Sequence, residues 1–153
     1  MVVVAIVALL GSFGVPAYQD YIRKTRVVES IALVAGLKVQ IMDNVSNGRP
    51  FNEGLKMPTL TPWLSYITVD QGAGYISLGF APSKFDGNPY YITLVPKDSG
   101  NGNLANLTGT ATHSVFPAGN VVWSCRSAAT TDLTPSTMPG KYVPESCKGR
   151  ANY

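Results

Sequence analysis

The chain opens on MVVVAIVALLGSFGV, residues 1–15, which carries no charged side chain and a single polar one, Ser12. From Tyr18 to Val45 there is no proline and one glycine, Gly36. Within that stretch Val28, Ile31, Ala35, Val39 and Met42 recur at spacings of three and four, with Ile41 and Val45 close by. That is the period of one helix face. Leu33 and Leu37 widen the apolar stripe, while Arg23, Lys24, Arg26, Glu29, Lys38 and Asp43 mark the wetter side. The pattern predicts one long helix, interrupted at Gly11, Gly14 and Pro16 and stopped by Ser46-Asn47-Gly48-Arg49-Pro50. At 1.5 Å per residue it is roughly 65 to 70 Å long, whereas a globule of this size has a radius of gyration of about 15 Å. Half of it must protrude. The expected division is a free apolar half-helix over residues 1–17 and a globular head over residues 18–153.

Residues 51–62 read as irregular chain, with Leu55, Met57 and Leu60 placed to pack onto a sheet. Strand patterns follow at 74–80, 89–95 and 120–124, where large apolar residues alternate with small ones or β-branched and aromatic types cluster. Residues 66–69 make a short additional strand. Asp86-Gly87-Asn88-Pro89 and the Asn, Asp and Gly residues of 98–103 are turn chemistry. A long helix followed by hairpin-connected strands is an α+β fold, with the helix's second half laid on an antiparallel sheet of about four strands.

Composition sharpens this picture mainly by exclusion. Charged residues are 14% of the 153, against roughly 25% in ordinary domains, yet mean hydropathy is only +0.09 because uncharged polar residues, 15 Gly and 11 Pro make the balance. A net charge of +3 without a sustained basic stripe is a weak footprint for nucleic acid. Two cysteines and one histidine cannot complete a four-coordinate zinc site. No P-loop, nucleophile elbow, zincin or dinucleotide motif is present, so no catalytic, cofactor or metal residue is assigned. His113 reads as a surface-loop histidine, and Asp98-Ser99-Gly100-Asn101-Gly102-Asn103 lacks the carboxylate spacing of a calcium loop. Asn44-Val45-Ser46 and Asn106-Leu107-Thr108 fit a glycosylation pattern that chance often supplies. Trp63, Trp123 and Tyr90-Tyr91 read as core. Cys125 and Cys147 are either a disulfide of an exported domain or two buried thiols. The apolar opening itself fits a buried core helix, the h-region of a signal peptide or a membrane element.

MVVVAIVALLGSFGVPAYQDY closely resembles the N-terminal helix of type IV pilins, in particular the major pilins of the type IVa class. The resemblance covers about the first 25 residues in sequence and the whole chain in layout. In that family a short basic leader and a Phe-Thr-Leu-Ile-Glu-Leu stretch precede this point, so the expectation is a chain that starts inside the motif, without the family's glutamate. The resemblance implies a pilin fold, a Cys125–Cys147 disulfide bounding a C-terminal surface region, and polymerisation into a pilus. Val2, Val3, Val4, Ile6, Val7, Leu9, Leu10 and Phe13 would form the assembly helix. Gly11, Gly14 and Pro16 would let residues 11–15 melt on assembly and kink the free subunit. Arg126, Thr134, Pro135, Lys141 and Tyr142 would belong to a surface recognition loop, beside the loop over 46–62.

The implied partners are further copies of the chain, inner-membrane lipid before assembly, the pilus assembly machinery, and host or abiotic receptors; nucleic acid is a weak addition. The implied location is the bacterial surface, with roles in adhesion, twitching motility and DNA uptake. Arg23, Lys24 and Arg26 just past the apolar run favour a cytoplasmic flank by the positive-inside rule, whereas a disulfide demands an oxidising one. The cysteines are the stronger signal. A minor pilin or type II secretion pseudopilin, and a secreted binding protein with a cleaved signal peptide, are the competing readings. The chain ends in Tyr153, not the terminal serine that some members glycosylate.

Overall fold

Two helices in line make up the first third of the chain, α1 (Val2–Leu33) and α2 (Ala35–Ser46), parted by one non-helical residue, Val34. The structure is a computed structural model describing residues 2–100, 104–127 and 137–148, with the side chains of residues 5, 8–11 and 13–16 outside that description. The helix is unbroken at Gly11, Gly14 and Pro16, and its irregularity falls instead at Val34. Its end lies where the turn residues placed it: Gly48 adopts φ 66°, and Arg49 N–H donates to the Asn44 carbonyl at 2.9 Å. The left-handed backbone is what glycine supplies after a helix C-terminus.

The covered face of the helix overlaps the expected stripe but is shifted from it. Leu37, Ile41 and Val45 of that stripe are buried, as are Val27 and Val34, whereas Val28 is 44% and Val39 71% exposed. Two polar residues share the buried side. Ser30 Oγ returns its proton to the Arg26 carbonyl at 2.8 Å. Asn44 Nδ2 donates to the carbonyls of Phe51 and Glu53 at 3.3 and 2.8 Å, tying the following loop to the helix. Both are satisfied, so burial costs little. With its side chain so engaged and buried, Asn44 is closed to glycosylation.

The sheet is antiparallel: β1 (Leu64–Val69), β2 (Ile76–Phe80), β3 (Tyr90–Asp98), β4 (Ala105–Asn106) and β5 (Val121–Arg126). β2 and β5 flank β3 on opposite edges, since both pair with Thr93 and Leu94, and the two-residue β4 continues the β2 edge opposite Lys97 and Asp98. Strand β3 runs three residues beyond its expected end, through Pro96. Proline lacks a ladder donor, and Pro96 sits where β2 has ended and β4 has not begun, its carbonyl accepting from Leu107 N–H at 3.5 Å.

Ile76, Leu78, Phe80, Ile92 and Leu94 point from the sheet onto the helix and complete the core. In the loop after α2 Leu55 packs against the core as expected, joined by the fully buried Phe51, while Met57 and Leu60 are half exposed. Gly74 makes room for Phe51: at φ 66°, a Cβ there would stand 2.7 Å from the ring.

Candidate assembly helix and disulfide region

Before Asp20 the described side chains of the helix are exposed. Val2, Val3, Val4, Ile6 and Val7 are between 51 and 73% exposed. The side chains of Leu9, Leu10 and Phe13 lie outside the described residues. Among the described residues no helix is by itself long and apolar enough to cross a membrane.

Where the helix meets the head, a polar junction holds three distant segments together. Arg23 Nη1 donates to Asp20 Oδ1 at 3.1 Å and to the Tyr142 hydroxyl at 3.2 Å, and lies 3.5 Å from Asp86 Oδ1. The Tyr142 hydroxyl donates to Asp86 at 2.8 Å. Its ring packs edge-on against Phe85, centroids 5.4 Å apart, and Phe85 also touches Phe80, Trp63 and Tyr90. The sequence marks Asp86 only as a turn residue. Its partners Arg23 and Tyr142 lie about 60 residues away along the chain in either direction, a distance at which sequence spacing carries no signal.

The C-terminal region is closed by the Cys125–Cys147 disulfide, with Cα atoms 4.7 Å apart. Ser127 Oγ donates to the Cys147 carbonyl at 2.8 Å and fixes the same closure. Of the expected recognition residues, Lys141 is exposed and its Nζ stands 4.5 Å from the Tyr142 ring centroid; its hydrogen bond to Tyr142 raises its pKa. Tyr142 has no exposed surface and Arg126 is buried, so neither can meet a receptor directly. Both are structural: the tyrosine turns inward to reach Asp86 and Arg23, and Arg126 ends the inner edge of β5 opposite Thr93. Thr134 and Pro135 lie outside the described residues.

The calcium-loop look-alike at Asp98 is a turn staple. Its carboxylate accepts from Ala118 N–H at 2.7 Å and from Gly119 and Gly100 N–H at 2.9 Å, which lowers its pKa, the Ala118 bond most. Among the described residues no group of three or more His, Cys, Asp or Glu is placed to hold a metal. Trp63 and Trp123 are only half buried, each under a cation: Arg26 at 5.9 Å and Lys38 at 5.5 Å. Burial lowers the Lys38 pKa.

The model of the pilin family, proteins of bacterial filaments, matches residues 24–148. The chain belongs to the pilin family, among the type IV pilins. A fimbrial protein of Dichelobacter nodosus is 46% identical over 118 residues, 75% of this chain and 67% of that protein. The type IV major fimbrial protein FimA of Dichelobacter nodosus strain VCS1703A is 48% identical over 54 residues, 35% of this chain and 33% of that one. The pilin thus spans about a third of the length of these FimA relatives. In fold it is similar to a crystal structure of a Pseudomonas aeruginosa type IV pilin, TM-score 0.57 and 16% identity, covering 82% of this chain and 97% of the other. The long helix, antiparallel sheet and C-terminal disulfide are those of the pilin fold, with a fifth strand beyond the four expected.

Proposed function

We propose that this pilin is a structural, non-enzymatic subunit of a type IV pilus, of the major type IVa kind, polymerising through its N-terminal half-helix. The exposed apolar run Val2, Val3, Val4, Ile6 and Val7 carries this reading. Taking one aliphatic side chain fully out of water is worth about 1.5–3 kcal/mol, so burying these together is worth on the order of 10 kcal/mol per subunit. Within the chain they are left in water; in a filament, neighbouring helices cover them, and before assembly lipid does.

On this reading residues 1–17 are the filament core element and residues 18–153 the surface head, reached through the assembly machinery. Residues 11–15 melt on incorporation, since each glycine costs about 1 kcal/mol in a helix and Pro16 removes a backbone donor. Adhesion to host or abiotic surfaces falls to Lys141 and its neighbours between the cysteines, with twitching motility and DNA uptake as further uses of the same filament. The FimA relatives, named as type IV major fimbrial proteins, support the major-subunit reading over a pseudopilin or a secreted monomer.

Ile6→Asp tests the proposal. Sheared surface filaments, seen by electron microscopy and identified by mass spectrometry, should be lost while the disulfide-bonded head melts as before. Filaments at unchanged abundance in this variant refute assembly through the half-helix.

A further inference from the structure

At the neck, where the half-helix leaves the head, lies a groove of about 370 Å³ lined on the helix by Tyr18, Ile22 and Arg23 and on the head by Trp63, Ser83 and Lys84. We infer that this groove binds the head-group phosphate of anionic phospholipids and seats the unassembled subunit on the bilayer surface. The inference rests on the reading above that the half-helix lies in lipid before assembly.

Position comes first. From Val2 to Tyr18 the helix rises about 24 Å, most of the roughly 30 Å of a hydrocarbon core. The groove therefore stands at head-group level when the apolar side chains are in acyl chains. Tyr18 lines it with two-thirds of its surface exposed, and Tyr21, one turn on along the helix, is equally exposed. Rings with a polar tip are what a membrane interface favours.

Charge comes second. No carboxylate lines the groove. Lys84 is exposed and has no ion-pair partner among the described residues. Arg23 is engaged by Asp20, Asp86 and Tyr142 through Nη1, and a guanidinium carries five N–H donors in all. The Ser83 hydroxyl supplies a neutral donor on the same wall. Arg26, held over the Trp63 ring, is paired with Glu29 and leaves Lys84 and Arg23 as the groove's cations. Arg23, one of the basic residues that point the wrong way as a topological signal, thus has a use on the outer leaflet, where with Lys84 it meets lipid phosphate.

The test uses the full chain in a Trp123→Phe background, which leaves Trp63 as its one tryptophan. Flotation and Trp63 emission are followed with vesicles of phosphatidylcholine alone and with phosphatidylglycerol added. The expected result is flotation with both, and a Trp63 response that half-saturates at several-fold less lipid with phosphatidylglycerol. Lys84→Gln should weaken that response about five-fold, and Lys84→Glu further, with flotation on neutral vesicles unchanged. Equal responses to the two lipids, or an unaltered Lys84→Gln variant, overturn the neck site while leaving the lipid reading of the half-helix intact. No flotation with either vesicle overturns both. A Trp63 response to inorganic phosphate alone, at the same phosphate concentration, would make this a free-anion site and overturn the lipid assignment.

Discussion

Tyr142 and Asp98 each do locally what a larger core would do by bulk. The Tyr142 hydroxyl ties the C-terminal region to Asp86 and to the helix at Arg23. Tyr142→Phe keeps the ring packing and removes the hydroxyl's hydrogen bonds to two charged groups, Asp86 and Arg23, so it should cost about 1.5–3 kcal/mol in a urea melt. Asp98, at the end of β3, accepts from the backbone N–H groups of Gly100, Ala118 and Gly119, tying β3 to the segment that enters β5, and these bonds hold its pKa below the usual value. A group whose pKa is depressed on folding stabilises the fold above its unfolded pKa, near 3.9, and that contribution is lost as pH falls through the lower folded value. Thermal melts of the wild type should therefore fall through the acid range below about pH 4, and Asp98→Asn should start lower and show a shallower acid limb. Neither residue's role was legible beforehand. Asp98 was visible only as a turn residue, and the partners of Tyr142 are 56 and 119 positions away.

At the scale of elements, the existence of the long helix and of its stop at Gly48 was legible, but its phase was not. Apolar residues cover more than half of the circumference between Val27 and Val45, so period alone cannot choose a face. Val28, Val39 and Ala35 match the period as well as Val27, Leu37 and Ile41 do. The choice is made by where the sheet lies and by the internal hydrogen bonds that admit Ser30 and Asn44 to the buried side. Paired variants separate the two phases. Leu37→Ala should cost about 2–5 kcal/mol in chemical denaturation, as a cavity in a packed core does. Val39→Asp should stay within about 0.5 kcal/mol of the wild type. The sheet shows the same division: the strands with strong alternation were found, whereas β4 has only two residues and exists because β3 continues past Pro96 and needs a partner there.

Over the whole molecule, the disulfide sets how firmly the C-terminal region stays on the head. It joins β5 to the Glu145–Cys147 turn across a separation of 22 residues. Reducing it, or replacing both cysteines by serine, should cost about 3 kcal/mol in the chain-entropy view, read as a lower melting temperature with the helix signal in circular dichroism retained. The proposed division into an apolar half-helix and a polar head draws on the sequence alone, where a chargeless run leads into a helical period longer than a globule of this size. The sequence by itself likewise determined the α+β class and the two residues available for a bridge. Only the tertiary structure decided which helix face is covered, that Arg126 and Tyr142 turn inward, and that a groove with Lys84 and Arg23 opens at the neck. Those features depend on residues far apart in the chain arriving at one place, and periodicity along one element does not encode that arrival.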